Sequence, residues 1–518
     1  MIGLYGWTAV FGILFLGLLF VLTYVATKRT KGLRDFIVAP TSYGPVWIGL
    51  AVGATACSAA ATLGNPGLVY SYGWSGMWYG YGYGLMVIAW AVSAYQLNRF
   101  SRDLEANSLP DFFGKRFQSP FLRAFSAIVT LFLAFYIAGQ FAGASLAITE
   151  MTPLTYTTGI LIGAAIIVAY VMIGGAHAEI LNSAIQGAFM LILGVIVIVS
   201  GFVAVGGIGD MNAAVAAQDA SLGASSMFGE PHFSAFNGPA IFLALGLFAL
   251  TPQLSRLWMA LDDEKNVKWT LLVALLFMTV MYGLMLVGGL AGRAVAPNLE
   301  TADIATLVLV SQVVPDAVYA FVGVAIFAAI MSTTAGLFLT CAIAVSNDLY
   351  KDTLVPLLEW NIDEATLDRQ TNLGTRLMIL VMAVVALIIA FNPPNFLTGL
   401  MWVGIGAFAA AFVPILLWGS IWDGVTPTAA KVSAVVGFSI HTIGYFGLGQ
   451  TLGLTLWTVP WRGSGLGIIV SFVLVPLLSF VTSQTLDRSF LNEIFYQERL
   501  NVDGSVANRP EPDEVSDD

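Results

Sequence analysis

Apolar segments of about 20 residues recur thirteen times along this chain, each long enough to cross a bilayer core of about 30 Å as a helix. They lie at roughly 7–26, 45–72, 74–98, 121–149, 155–174, 180–206, 235–259, 269–292, 316–346, 375–392, 396–419, 429–448 and 465–483. Lipid offers no hydrogen bonds, so a segment that crosses it must pair its own backbone. The pattern therefore predicts an all-α polytopic membrane protein with 13 transmembrane helices. Composition agrees, since 58% of the 518 residues are hydrophobic and 10% charged, far from the soluble globular norm.

The first segment lacks an N-terminal positive charge, runs full length and is followed by Lys28, Arg29, Lys31 and Arg34. It reads as an anchor with the N-terminus outside, not as a cleaved signal. Threading thirteen spans from that start puts all of the 21 Lys and Arg residues except Arg293 and Arg462 on the cytoplasmic side, the bias expected of a correct topology. The C-terminus is then cytoplasmic, and its acidic stretch 484–518 reads as a disordered tail. Cys57 and Cys341 fall inside spans and read as packing residues.

Two spans carry helix-breaking residues. In "GATACSAAATLGNPGLVY" (53–70), Pro66 lacks an amide donor and Gly64 and Gly67 loosen the chain. In the seventh span the corresponding feature is Thr251-Pro252. Gly64, Pro66, Gly67 and Pro252 are the expected hinge residues. Interruptions in corresponding places of two halves point to a transporter built from inverted repeats with its site at the midplane. The expected organisation is a leading helix and loop (1–44), repeat 1 (45–206), an extracellular loop (207–234), repeat 2 (235–425), trailing helices (426–483) and the tail (484–518).

The halves hold no central Asp, Glu or Lys; Glu150, Glu179, Asp210, Arg256 and Arg293 fall near span ends. They hold hydroxyls instead, most clearly in "AAIMSTTAG" (328–336). Ala329, Ser332 and Thr333 share one helix face by their three- and four-residue spacing. Two hydroxyls and the Ala329 carbonyl, joined by carbonyls of Ala54 and Cys57 from the broken helix, suit a small hard monovalent cation. The competing reading of Ser332-Thr333 is helix packing through back-bonded hydroxyls. His441, inside the twelfth span, reads as a packing histidine before a proton relay. His177 and His232 read as loop residues.

Six stretches, in this order, resemble the sodium:solute symporter family, in particular its proline, pantothenate and acetate carriers. They are "SYGPVWIGLAVGATACSAAATLGNPGLVYSYGW", "SLPDFFGKRF", "FYIAGQFAGA", "GGAHAEILNSAIQG", "TPQLSRLWMA" and "AIFAAIMSTTAG" with the downstream "SNDLYKD". The resemblance implies a LeuT-like five-plus-five inverted-repeat core with one leading and two trailing helices. It also implies sodium held by Ala54, Cys57, Ala329, Ser332 and Thr333. Some members have a carboxylate where this chain has Ser183, and hydroxyls where it has Ala335 and Gly336, for an additional sodium site. Their absence predicts one sodium per cycle. Proline carriers resemble one another in an Asp where Ala56 stands here, which counts against proline itself.

The solute site is expected beside the break, lined by Ser58, Thr62 and Asn65, with Gln140, Gln253 and Trp402 as polar groups at membrane depth. The aromatic run Tyr70–Gly84 reads as an interfacial belt. The expected function is sodium-coupled import of a monocarboxylate or amino acid across the plasma membrane. Competing readings are a proton-coupled or facilitative carrier and a membrane sensor on the same fold. The partners are a small solute and the lipid bilayer, with no nucleic acid and no obligate protein partner. No nucleophile, metal cluster or phosphate loop supports an enzyme.

Overall fold

The computed structural model describes residues 3–29, 36–37, 39, 43–227, 237–261, 263–391, 397–446 and 460–496. His232, Lys31, Arg34 and the tail beyond 496 lie outside these residues. Among the described residues the chain is helical, without a strand; one isolated bridge joins Tyr43 to Leu261. Among the described residues, nine helices are long and apolar enough to cross a membrane, or ten if the bent pair Pro45–Ala56 and Ala60–Arg99 is taken as one span. The thirteen-segment reading divides these more finely. The segments at 155–174 and 180–206 form one element, α8 below, broken at Gly175. There the backbone takes φ 58°, and a Cβ would meet the Phe36 ring at 2.6 Å.

In chain order the helices are α1 Leu4–Thr27, α2 Pro45–Ala56, α3 Asn65–Tyr72, α4 Met77–Asp103, α5 Leu109–Arg116, α6 Pro120–Thr130, α7 Leu133–Met151, α8 Tyr156–Val205 and α9 Ile208–Gln218. There follow α10 Asn237–Phe248, α11 Pro252–Met259, α12 Val267–Val295, α13 Ala305–Ser311, α14 Asp316–Ile343, α15 Glu364–Ala390, α16 Leu397–Ile421, α17 Pro427–Tyr445, α18 Pro460–Val481 and α19 Arg488–Tyr496. Burial sorts them. The most apolar windows of the spans 316–357 and 397–421 are 94% buried, whereas that of α1 is 22% buried. α14 and α16 are therefore central, and α1 presents its side chains outward, as a lipid-facing helix does.

The first broken span differs in detail from the sequence expectation. The backbone leaves the helix at Cys57, which is extended (φ −104°, ψ 96°), and the two arms are bent by 64°. Gly64 and Asn65 are helical, and a π-helical turn, Ala60–Gly64, runs straight into α3. Pro66 lies just past that turn, inside the continuous helical run 59–72, and does not mark the bend. Gly64 and Gly67 are there for closeness instead. A Cβ on Gly64 would meet Thr398 Oγ1 at 2.5 Å, and one on Gly67 would meet Asp303 Oδ1 at 2.7 Å. Gly64, Pro66 and Gly67 are thus packing positions and not the bend itself. Pro252 does begin α11 beyond a non-helical Ala249–Thr251.

Two histidines are buried in hydrogen bonds. His441 pairs Nδ1 with Ser464 Oγ (2.9 Å) and Nε2 with the Val403 carbonyl (3.0 Å). His177, expected in a solvated turn, is 4% exposed, with Nδ1 2.9 Å from Tyr43 Oη. The stretch "SNDLYKD" forms a π-helical extension of α14, Ala344–Leu354, pinned to α5 where Ser108 Oγ donates to Asp348 (2.7 Å).

Candidate functional site

The last carbonyls of a helix have no intrahelical donor, and the end of α2 falls in the protein interior. Ala54, Thr55 and Cys57 are fully buried, so their carbonyls need partners from elsewhere. α14 supplies them. Ser332 Oγ lies 2.9 Å from the Ala54 carbonyl and 2.8 Å from the Ala329 carbonyl. Thr333 Oγ1 lies 3.0 Å from the Thr55 carbonyl and 3.4 Å from those of Ala54 and Ala329. Three carbonyls and two hydroxyls therefore meet where α2 ends against α14. All are neutral oxygens, the donor type that replaces the hydration shell of a hard monovalent cation. The set fits sodium.

Of the expected ligands, the structure brings Ala54, Ala329, Ser332 and Thr333 together. Cys57 lies at the break, with its thiol 3.9 Å from Met278 Sδ. The Thr55 carbonyl was not expected; it is the partner of Thr333 Oγ1 one residue before α2 ends at Ala56.

Most of the solute candidates gather beyond the break, from Ser58 onward, whereas Gln253 lies beside Thr55 and Gly336. Ser58 Oγ accepts from the Ala60 amide and from Tyr136 Oη, both at 3.0 Å. Gln140 Oε1 accepts from the Ala59 amide at 3.1 Å, replacing the helical partner that the bend removes. Thr62 Oγ1 donates to the Ser58 carbonyl (3.2 Å) and serves the turn itself. Asn65 donates to Tyr83 Oη (2.6 Å), and its side-chain oxygen accepts from Thr398 Oγ1 (3.4 Å). Trp402 donates to Tyr79 Oη (2.9 Å) with the two rings edge to face. Gln253 is fully buried and neither of its amide atoms has a partner among the described residues.

The aromatic run read as an interfacial belt is therefore split. Tyr79 and Tyr83 are 3% exposed and reach Trp402 and Asn65. Their period of four along α4 places them on one face, the signal that could have singled them out. Tyr136 lies against Phe248. Ser58, Thr62, Asn65, Gln140, Gln253 and Trp402 are all at most 1% exposed.

Above it, Asp303 is 3% exposed, and its Oδ2 accepts from the Leu397 amide that opens α16 (3.3 Å). Burial pushes its carboxyl up to about 6, and the Leu397 amide opposes this. On the opposite side Arg256 of α11 donates to Glu179 of α8, both buried.

Comparison with known proteins agrees with this architecture. Residues 36–437 match the sodium:solute symporter family. The High-affinity proline transporter PutP of Bacillus subtilis is 28% identical over 80% of this chain and 87% of its own length. The Sodium/proline symporter of Escherichia coli is 29% identical over 83% of this chain and 84% of its own. The Sodium/pantothenate symporter of Haemophilus influenzae is 26% identical over 81% and 86%. Among solved structures, a Na+-coupled sialic acid symporter in a substrate-bound outward-open state superposes with TM-score 0.72, covering 92% of this chain and 98% of that one at 16% identity.

Proposed function

The chain belongs to the sodium:solute symporter family, and from that membership we propose that it imports a small monocarboxylate or amino acid together with one sodium ion per cycle. Sodium is the coupling ion. The chain is a multi-pass membrane protein; its N-terminus lies outside, its C-terminus in the cytoplasm, and thirteen spans form a five-plus-five inverted-repeat core with one leading and two trailing helices. The observation that carries the reading is the meeting of α2 and α14. A cation there would touch the broken helix of repeat 1 and the hydroxyl pair of repeat 2 at once, linking the halves that must move against each other.

Ala54, Thr55, Cys57, Ala329, Ser332 and Thr333 hold the ion. Ser58, Thr62, Asn65, Gln140, Tyr79, Tyr83 and Trp402 shape the solute site next to the same break, with Gln253 on the Thr55 side of it, so one change of backbone geometry alters both. Sodium binding favours the outward-facing state and the solute pocket together, and each ligand raises the affinity of the other by the same factor. A tenfold sodium gradient and a 100 mV potential contribute about 1.4 and 2.3 kcal/mol, enough to concentrate a neutral solute about 500-fold with one ion. A monoanion carried with one sodium feels no potential, and its accumulation falls to about tenfold.

Two features favour a solute other than proline, although proline carriers are among the relatives. Ala56 stands where proline carriers have Asp, and four aromatic rings surround the break. The test is uptake by proteoliposomes of short monocarboxylates, amino acids and pantothenate, each with sodium replaced by choline. Import of one class that needs sodium supports the proposal; sodium-independent import that follows pH contradicts it.

A further inference from the structure

α16 meets the solute candidates along one face and the trailing helix α17 along another. On the first face Thr398 Oγ1 donates to Asn65 Oδ1 (3.4 Å) and, one turn on, Trp402 Nε1 donates to Tyr79 Oη (2.9 Å). On the second, Tyr445 Oη of α17 donates to the Gly399 carbonyl (3.2 Å) and His441 Nε2 to the Val403 carbonyl (3.0 Å). The two donors are one turn apart on α17 and the two acceptors one turn apart on α16, so they make a pair of rungs between the helices. Each acceptor adjoins a residue that reaches the solute candidates: Gly399 follows Thr398, and Val403 follows Trp402.

His441 is buried. A carbonyl only accepts, so the proton of the neutral ring sits on Nε2, and Nδ1 takes the hydroxyl of Ser464 from α18 at 2.9 Å. Both nitrogens are thus used without a buried charge. The ring comes this close because residue 406 of α16 has no side chain: a Cβ on Gly406 would meet His441 Cε1 at 2.5 Å and collide with Ser464 Oγ. The Tyr445 ring continues the contact, 6.1 Å from the His441 ring with an interplanar angle of 30°. A helical carbonyl accepts from the amide four residues on and keeps a second lone pair. Bonds placed there leave α16 continuous over Leu397–Ile421 and fix how it is turned about its axis.

Resting on the assignment of Trp402 to the solute site, we propose that His441 and Tyr445 are positioning residues that set affinity for the solute from outside the two repeats. They hold α16 at the rotation at which Thr398 reaches Asn65 and Trp402 reaches Tyr79. Neither touches the solute. With a rung lost, α16 turns and the indole donor leaves Tyr79, while the oxygens shared by α2 and α14 keep their places. Solute binding weakens and sodium binding does not, as happens when the support of a binding residue is loosened and the residue itself is kept.

The experiment uses the full chain in proteoliposomes and measures sodium-driven uptake of labelled acetate, lactate, alanine, proline and pantothenate. It compares wild type with His441→Phe, His441→Gln, Tyr445→Phe, Trp402→Phe and the double variant His441→Phe/Trp402→Phe, and takes the sodium midpoint of thermal stabilisation for each purified protein. For a compound that wild type imports, His441→Phe, which keeps a ring and loses both nitrogens, should raise KM about tenfold and Tyr445→Phe about threefold. Sodium midpoints should stay within about twofold of wild type. His441→Gln, whose amide can donate to the Val403 carbonyl, should bring KM back to within about twofold of wild type. Because His441 acts through Trp402, the double variant should exceed Trp402→Phe by no more than about twofold. A merely structural role would lower the melting temperature and leave KM where it was, and that result in His441→Phe overturns the proposal. So does a sodium midpoint that rises with KM, or a double variant whose KM change is the product of the two single changes. If His441→Phe does not fold, Tyr445→Phe decides, since it removes one hydroxyl from a half-buried ring: a raised KM with an unmoved sodium midpoint supports the proposal and an unchanged KM overturns it. An unchanged KM in Trp402→Phe sinks the solute-site assignment itself, and import of none of the five compounds by wild type contradicts the proposed function; either takes the proposal with it.

Discussion

Ser332 Oγ sits 2.9 Å from the carbonyl oxygen of Ala54, a contact between residues 278 positions apart. It joins the end of a bent helix to the middle of an unbroken one. Thr333 repeats the contact on the next residue, so the oxygens form one pocket and not two.

A single pocket predicts a single ion. Sodium activation of uptake should follow a Hill coefficient near one, and Ser183→Ala should leave that coefficient unchanged. A coefficient near two that falls in Ser183→Ala would show a second ion bound through the cycle.

Trp402→Phe keeps the ring and removes the donor to Tyr79 Oη, 2.9 Å away. A lost buried hydrogen bond of this kind costs about 1–3 kcal/mol. The solute KM should rise about tenfold while the sodium midpoint of stabilisation stays put, because Trp402 belongs to the proposed solute site and is not among the proposed ion ligands. Solute-concentration curves at saturating sodium measure it.

The helix break was only partly legible in the sequence. Pro66 and its flanking glycines advertised an interruption, but the helix runs on through Pro66, and the bend forms at Cys57-Ser58, where Gln140 from α7 takes the orphaned Ala59 amide. No local signal encodes a partner 81 residues away. Ser332 and Thr333 were legible because hydroxyls three and four residues from Ala329 stand out in an apolar span. Glu179 and Arg256 were not, since both fall near span ends and only the packing of α11 against the neighbouring helices buries them together.

The corrected role of those residues is testable. Pro66→Ala should retain transport within about threefold, since the bend lies at Cys57 and alanine suits a helical run. Gly64→Val and Gly67→Val should abolish uptake, as even a Cβ would collide with Thr398 or Asp303. Uptake per molecule of folded protein distinguishes the two groups.

Asp303 should leave a mark on the pH dependence of stability. Its folded carboxyl titrates at about 6, above the value of an unfolded Asp, so the ionised form burdens the fold above that pH and the burden is lifted as pH falls from about 6 to 4. The shift corresponds to about 2–3 kcal/mol. Wild type should therefore gain that much relative to Asp303→Asn between pH 7 and pH 4 in parallel thermal unfolding of purified protein.

The most direct measurement of the ion site is the sodium midpoint of thermal stabilisation for purified wild type, Ser332→Ala and Thr333→Ala, with potassium and choline as controls. Wild type should be stabilised by sodium alone, by about 2.7 kcal/mol at a hundredfold excess over its dissociation constant, and each variant should shift the midpoint upward about tenfold. Identical midpoints in all three proteins would contradict the account.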